Sequence, residues 1–230
     1  CVRINANGKI GSGTIVGKEV SSKSTKYFVL TAYHVLEGSM QVNHTTGKLE
    51  FNVPVTALCD DRGLYVCSVV LGNSSNDIGL ISFEARTQYS VAKIASRSRI
   101  VQLDSRVYSV GHPLGVVGAR ITEGKIVDVT SSNGVTYLHP TAPSIYGCSG
   151  GGLYDANGKL IGINHAIAVT PLAWTGASLA SLLKDDVSIP LPTMPVAISL
   201  KEVHSALEPH FTNVCCSEKI ARESKELKNM

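Results

Sequence analysis

Tyr146-Gly147-Cys148-Ser149-Gly150-Gly151-Gly152-Leu153-Tyr154-Asp155-Ala156-Asn157-Gly158 is the stretch on which the reading of this chain turns. A serine among glycines can mark a G-x-S-x-G elbow between a strand and a helix, which lifts the hydroxyl above a mostly parallel sheet. Gly147 to Gly151 satisfies that pattern. The next residues decide against it: Gly152-Leu153-Tyr154 reads as a strand and Asp155-Ala156-Asn157-Gly158 as a turn, with no helical run. The segment therefore reads as part of a β protein. Glycine leaves its backbone adaptable and one face open, so backbone N–H groups across Gly147, Cys148 and Ser149, above all those of Gly147 and Ser149, can converge on a developing oxyanion. Cys148 is the rival nucleophile, because a thiol is intrinsically the stronger one. Ser149 holds the position directly before Gly-Gly, which turns Cys148 away from those donors.

The chain outward from this segment is all-β in character. Runs rich in Val, Ile, Thr and Tyr recur at Ser12 to Val16, Tyr27 to Ala32, Leu49 to Thr56, Leu64 to Leu71, Ile78 to Phe83, Arg106 to Val110, Arg120 to Val129, Val135 to His139 and Leu160 to Ile167. Gly, Asn, Asp and Ser punctuate them. The Ser- and Arg-containing stretch from Glu84 to Asp104 is where one β unit hands over to another. The expected division is a β unit over 1–90, a linker over 91–104, a second β unit over 105–190, and a helical extension with a charged tail over 191–230. Helical signal appears only near the C-terminus: Ser199 and Glu202 form a capping box, Leu200, Val203 and Leu207 share a face, and Pro209 ends the run. Ser217 to Met230 alternates acid and base and reads as solvated.

Composition excludes several classes. With 43% hydrophobic and 17% charged residues, the 230-residue chain can bury a substantial core without disulfides. A net charge of +3 with no basic and aromatic cluster gives no reason to expect nucleic acid as a partner. No apolar run is long enough to span a membrane and no signal-peptide layout is visible, so a soluble mature chain is expected. The chain opens at Cys1 rather than Met, as a processed product or a fragment would. Cys1, Cys59, Cys67, Cys148, Cys215 and Cys216 lack zinc-knuckle spacing, and no metal or cofactor is expected. Cys59 and Cys67 could meet across a hairpin, and otherwise read as free buried thiols, the reading preferred here.

A serine hydroxyl is inert near neutral pH unless a base takes its proton. Of seven histidines, His34 ends the apolar run Tyr27-Phe28-Val29-Leu30-Thr31-Ala32-Tyr33, where a rigid strand presents its ring. His112, between Gly111 and Pro113, reads as a turn residue, His139 precedes Pro140, and His44, His204 and His210 lie in polar or tail contexts. A base of this kind needs a carboxylate to accept from Nδ1–H and fix the tautomer. Asp77 stands at the mouth of Ile78-Gly79-Leu80-Ile81, where a charge entering an apolar strand wants a partner. Asp60, Asp61 and Asp104 sit where solvent accounts for them.

With these segments in the order His, Asp, Ser, residues 8 to 168 resemble the chymotrypsin-fold (trypsin-like) serine proteases and, within them, the HtrA-like branch. Gly11-Ser12-Gly13-Thr14-Ile15-Val16 is similar to the family's first strand, Thr31-Ala32-Tyr33-His34-Val35 to its His segment and Asp77-Ile78-Gly79-Leu80-Ile81 to its Asp segment. Ser109-Val110-Gly111-His112-Pro113-Leu114-Gly115 resembles its Gly-x-Pro-x-Gly turn, and Thr122 to Val127 the strand after that turn. The most specific run is Gly147 through Ser149-Gly150-Gly151 to Gly158 and Ile161-Gly162-Ile163-Asn164.

The resemblance implies two antiparallel six-stranded β-barrels with His34, Asp77 and Ser149 as a triad between them, and peptide hydrolysis through an acyl-enzyme. The wall of the specificity pocket is expected from Ala142, Pro143, Ser144 and Ile145 with Asn164, His165 and Ala166. No acid occurs there, so a small or medium apolar residue before the cut is expected rather than Arg or Lys. Departures from the family are Cys148 where Asn or Asp is usual, Gly152 where Pro is usual, no cysteine beside His34, and too little chain after residue 170 for a PDZ module. Viral polyprotein proteases share the fold, and His165 lies one position beyond the histidine that some of them direct at glutamine. The alternatives are a protease-fold binding module without activity, a viral polyprotein-processing protease, or an α/β-hydrolase esterase.

Overall fold

The computed structural model describes residues 1–96, 100–169 and 193–199. Its chain runs through β1 (Val2–Ala6), β2 (Lys9–Val20), β3 (Thr25–Ala32), the one-turn helix α1 (Tyr33–Leu36), β4 (Met40–Val42), β5 (Leu49–Phe51), β6 (Val55–Leu58), β7 (Leu64–Val66), β8 (Ser68–Asn73) and β9 (Ile78–Ala85). It continues through β10 (Arg106–Gly111), β11 (Arg120–Ser132), β12 (Val135–Pro140), β13 (Gly152–Asp155), β14 (Leu160–Val169) and β15 (Thr193–Ser199). Helices alternating with strands, which an α/β-hydrolase requires, are not found among the described residues.

Two of the hairpins arise directly from Asn-Gly pairs. Asn7-Gly8 joins β1 to β2 and Asn133-Gly134 joins β11 to β12, all four residues at positive φ (53° and 80°, 51° and 78°). That backbone suits a two-residue turn whose twist matches the strands, and Asn and Gly are the residues that tolerate it.

Strands β7-β6-β1-β2-β3-β9-β8 form one antiparallel sheet. Although β7 and β9 lie far apart in that order, the rings of Tyr65 and Phe83 stack with centroids 4.8 Å apart. The sheet must therefore curl upon itself, around a core that includes Val2, Ile4, Tyr27, Val29, Val55 and Ile81. Strands β10-β11-β12-β15-β14-β13 close a six-stranded barrel, filled by Val107, Ile126, Leu138, Leu153, Ile161 and Ala197. A third cluster unites the two: Val16, Phe28, Leu30, Ile78 and Leu80 from the curled sheet meet Val135, Leu160, Ile163 and Ile198 from the barrel. Each such side chain contributes about 1.5–3 kcal/mol when buried, so the two halves are held by a core of their own. The segment between them is a staple rather than a free tether, with Ala92 N–H donating to Ile15 O (2.8 Å) and Ala95 N–H to Leu160 O (2.9 Å).

This is the mostly-β double-barrel class that the resemblance implied, with differences in detail. The first unit is a curled seven-stranded sheet rather than a closed six-stranded barrel. The run from Leu49 to Thr56 divides into β5 and β6 around Pro54, which has no N–H to offer a ladder. The run from Leu64 to Leu71 divides at Cys67, whose N–H turns to Val55 O (2.8 Å). Thr193–Ser199, expected within the extension at 191–230, pairs with both β12 and β14 and supplies the strand that closes the barrel. The helix read from Ser199 to Pro209 and the charged tail Ser217 to Met230 lie outside the described residues, apart from Ser199 itself. Cys59, Cys67 and Cys148 are buried and form no disulfide. Among the described residues no helix is long and apolar enough to cross a membrane.

Candidate active site

The strand β3 ends at Ala32, and the chain turns at once into α1, which carries His34 on its single turn. Asp77 closes the loop before β9 with φ of 50°, a left-handed backbone that Asp tolerates better than most residues. Because β3 and β9 pair as far as Ala32 opposite Ile78, the residues just past that rung are neighbours. Asp77 then grips the His segment at three points. Tyr33 N–H donates to its carbonyl (3.0 Å), His34 N–H to Oδ1 (2.7 Å), and His34 Nδ1 to Oδ2 (2.7 Å). With Nδ1 committed as the donor, Nε2 of a neutral His34 is left as the basic nitrogen.

A second imidazole shares the same oxygen. His165 on β14 places Nδ1 2.6 Å from Asp77 Oδ2, and its ring centroid is 6.0 Å from that of His34. Burial pushes the Asp77 carboxyl up, but the hydrogen bonds from His165 and His34 and the charge of His34 outweigh it and hold the group at about 2. The carboxylate is thus ionised across the physiological range.

Ser149 comes from the loop between β12 and β13, and the first sheet anchors that loop. Ser12 N–H on β2 donates to Ser149 O (2.8 Å), Ser12 Oγ donates to Gly147 O (2.7 Å), and Leu114 N–H donates to Tyr146 O (2.6 Å). Gly150 N–H is donated to Asn164 O on β14 (2.7 Å). Carbonyls on one side of the loop are therefore tied down. Cys148 N–H is already donated to Ile145 O (3.0 Å), whereas the N–H groups of Gly147 and Ser149 have no acceptor among the described residues. Gly147 reaches this arrangement at φ 92°. Its position leaves no room for a side chain, since a Cβ there would lie 2.4 Å from His112 O.

Lys9, Ile10, His34, Asp77, Tyr146, Gly147, Ser149 and His165 all border one cleft of about 730 Å³. Ser149 Oγ donates to His165 O at 3.5 Å, the long end of hydrogen bonding, and not to His34. Cys148 lies behind the loop, with Sγ packed near Gly111 and its thiol pushed up by burial, which makes it a poor nucleophile.

The other residues expected at the site fall into different roles. His165, expected in the pocket wall, borders the cleft and also has its ring bonded to Asp77. Asn164 points inward, its amide bonded to Ser109 Oγ (2.9 Å). Ala142 and Ser144 are buried, Ile145 is half-buried, and exposed Pro143 accepts from Thr122 Oγ1 (2.7 Å) through its carbonyl. Ala166 lies on β14 opposite Val196. Ala142, Pro143, Ser144, Ile145 and Asn164 are not among the residues that line this cleft. His112 is buried in a turn, with Nδ1 facing Val116 O (3.1 Å) and its N–H donating to Ser12 Oγ (2.8 Å), as its place before Pro113 suggested. Sequence reasoning missed Ser12, which ties both His112 and Gly147, and Lys9, whose ammonium donates to the His34 carbonyl at the cleft rim.

Comparison with known proteins finds relatives among serine proteases. A probable periplasmic serine protease of the do/HhoA-like kind from Haemophilus influenzae is 28% identical over 69% of this chain and 31% of its own length. A serine protease Do-like HtrA from Lactobacillus helveticus is 29% identical over 69% of this chain and 37% of its own. The magnetosome formation protease MamE of Magnetospirillum gryphiswaldense is 29% identical over 74% and 20%. The chain thus spans roughly a fifth to two fifths of these relatives' length. The trypsin-like peptidase domain family matches residues 11–163, a span that takes in His34, Asp77 and Ser149, and the chain belongs to that family.

Proposed function

We propose that this chain is a serine endopeptidase in which Ser149 is the nucleophile, His34 the general base and Asp77 the carboxylate that orients it. The observation that carries the proposal is the grip of Asp77 on both the backbone and Nδ1 of His34 (2.7 Å each), beside the cleft that Ser149 borders. Such a grip commits Nδ1 as donor and stabilises the imidazolium that forms when Nε2 takes a proton. With a peptide bound, Ser149 Oγ swings from His165 O toward His34, as catalytic hydrogen bonds that are long in a free enzyme tighten in its complex.

The oxygen of Ser149 attacks the peptide carbonyl while its proton passes to His34 Nε2. The N–H groups of Gly147 and Ser149, which lack acceptors among the described residues, receive the oxyanion. Collapse breaks the C–N bond, His34 returns the proton to the leaving amine, and water repeats the sequence to release the acyl group. The carbonyl of His165 is a ready acceptor for a substrate N–H once Ser149 has left it. The residue before the cut is small or medium and apolar, in keeping with a segment from Ala142 to Ile145 that carries no acid.

A fluorophosphonate probe and a peptide library test this reading together. The wild type should be labelled at Ser149 and cleave peptides, and Ser149→Ala should do neither beyond the small residue of binding and oxyanion stabilisation. A folded wild type that the probe leaves unlabelled, or a Ser149→Ala variant that still cleaves, overturns it. The first outcome would leave a binding module built on a protease fold.

A further inference from the structure

Two histidines converging on one carboxylate oxygen exceed what orienting a base requires. His34 and His165 each bring Nδ1 within 2.7 Å of Asp77 Oδ2, and the three potential ligand atoms lie within 4.8 Å of one another. The side chains of His34, His165 and Asp77 remain 34%, 27% and 14% exposed, at the edge of a cleft open to solvent. Two imidazole nitrogens and one carboxylate oxygen match the donor set of open zinc sites, which keep a fourth position for water. A tetrahedral ion with bonds of about 2.0–2.2 Å holds its ligands roughly 3.3–3.6 Å apart. The pairs at 2.6 and 2.7 Å need to widen by less than about 1 Å for an ion to take the place of the protons between them.

We propose that His34, Asp77 and His165 bind a borderline transition-metal cation, with Zn²⁺ as the fitting case, and that this binding switches the catalytic group off. Binding needs a lone pair on each Nδ1, so the proton of neutral His34 must move to Nε2. A protonated Nε2 cannot accept the proton of Ser149. Metal binding and base catalysis are therefore mutually exclusive at one imidazole. Hard cations such as Mg²⁺, which favour oxygen donors, are poor occupants of a site with two nitrogens. The inhibitory half of the proposal rests on the endopeptidase reading above, whereas the binding half does not.

Isothermal titration of Zn²⁺ into the full folded chain, with its solvent-accessible thiols first blocked by N-ethylmaleimide and Cys59, Cys67 and Cys148 left buried, measures the site directly. Saturable binding at one ion per chain is expected, with a rise in melting temperature and no response to Mg²⁺. His165→Gln, checked for folding by circular dichroism, should weaken the affinity at least tenfold, since even outer partners of metal ligands are worth about 10- to 100-fold. Zn²⁺ should also slow fluorophosphonate labelling of the wild type, and EDTA should restore it. Failure to label without zinc would remove the endopeptidase reading while leaving the titration interpretable. Absence of saturable binding below about 100 µM (roughly −5.5 kcal/mol), or a His165→Gln variant that binds as tightly as the wild type, overturns the proposal. So does labelling that runs at full rate with zinc bound.

Discussion

Gly147→Ala tests whether the loop before Ser149 is built around a backbone only glycine can adopt. Two costs add at this position. A side chain at φ 92° meets the steric penalty of the left-handed side of backbone space, about 1–2 kcal/mol. The new Cβ would also lie 2.4 Å from His112 O and 3.0 Å from the backbone nitrogens of Leu114 and Gly115. All three are backbone atoms in a turn held by Leu114 N–H to Tyr146 O (2.6 Å) and Gly115 N–H to His112 O (2.9 Å), so no side chain can swing aside. Overpacking of this sort costs about 1–3 kcal/mol, for a sum of roughly 2–5 kcal/mol. Gly158→Ala is the control, because Gly158 has φ 69° with nothing within 4 Å of where a Cβ would stand, and bears only the first cost. Urea unfolding of both variants beside the wild type separates the two contributions. Displacing one oxyanion donor should also slow acylation by about 10²–10³, read from the rate of fluorophosphonate labelling. If Gly147→Ala is no less stable than Gly158→Ala and labels within threefold of the wild type, the role assigned to this backbone geometry is refuted.

Two further predictions concern groups outside the reacting atoms. Ser12→Ala leaves buried His112 N–H without its acceptor and frees Gly147 O; a loss of about 1–3 kcal/mol is expected in urea melts, together with slower labelling of Ser149. Burial holds the thiols of Cys59 and Cys67 protonated up to about 11 and about 12, against an ordinary 9.0. Between those values the unfolded chain has released protons that the folded chain keeps, so the stability they contribute is complete below about pH 9 and declines as the pH rises toward 11–12. Unfolding midpoints should fall across that window, less steeply when both cysteines are replaced by alanine, and a thiol reagent at pH 8 should leave both unmodified until the protein unfolds.

Much of the scaffold was legible because its signals are local. β3 and β9 announce themselves as apolar runs, whereas β1 and the hairpin turn at Asn7-Gly8 that joins it to β2 went unread. Breaks such as Pro54 and Cys67 are less visible, because the second depends on a hydrogen bond to Val55 O. Thr193–Ser199 could not be recognised as a barrel strand from its own residues, since what defines it is the edge offered by β12 and β14.

His34, Asp77 and Ser149 could be named from the sequence because each stands where one local pattern changes into another: the end of an apolar strand, the mouth of the next, the middle of a glycine turn. The bond from His165 to Asp77 joins residues 88 apart in the chain, and no spacing rule connects them. It exists because the interface core of Leu30, Ile78, Leu80, Leu160 and Ile163 packs the barrel against the curled sheet and carries β14 up to the loop before β9. Local backbone preference thus determined the strands, the turns and the chemistry available to each side chain. Which side chains share a proton depends on distances of less than 3 Å, and only the packing of one half upon the other sets distances that short.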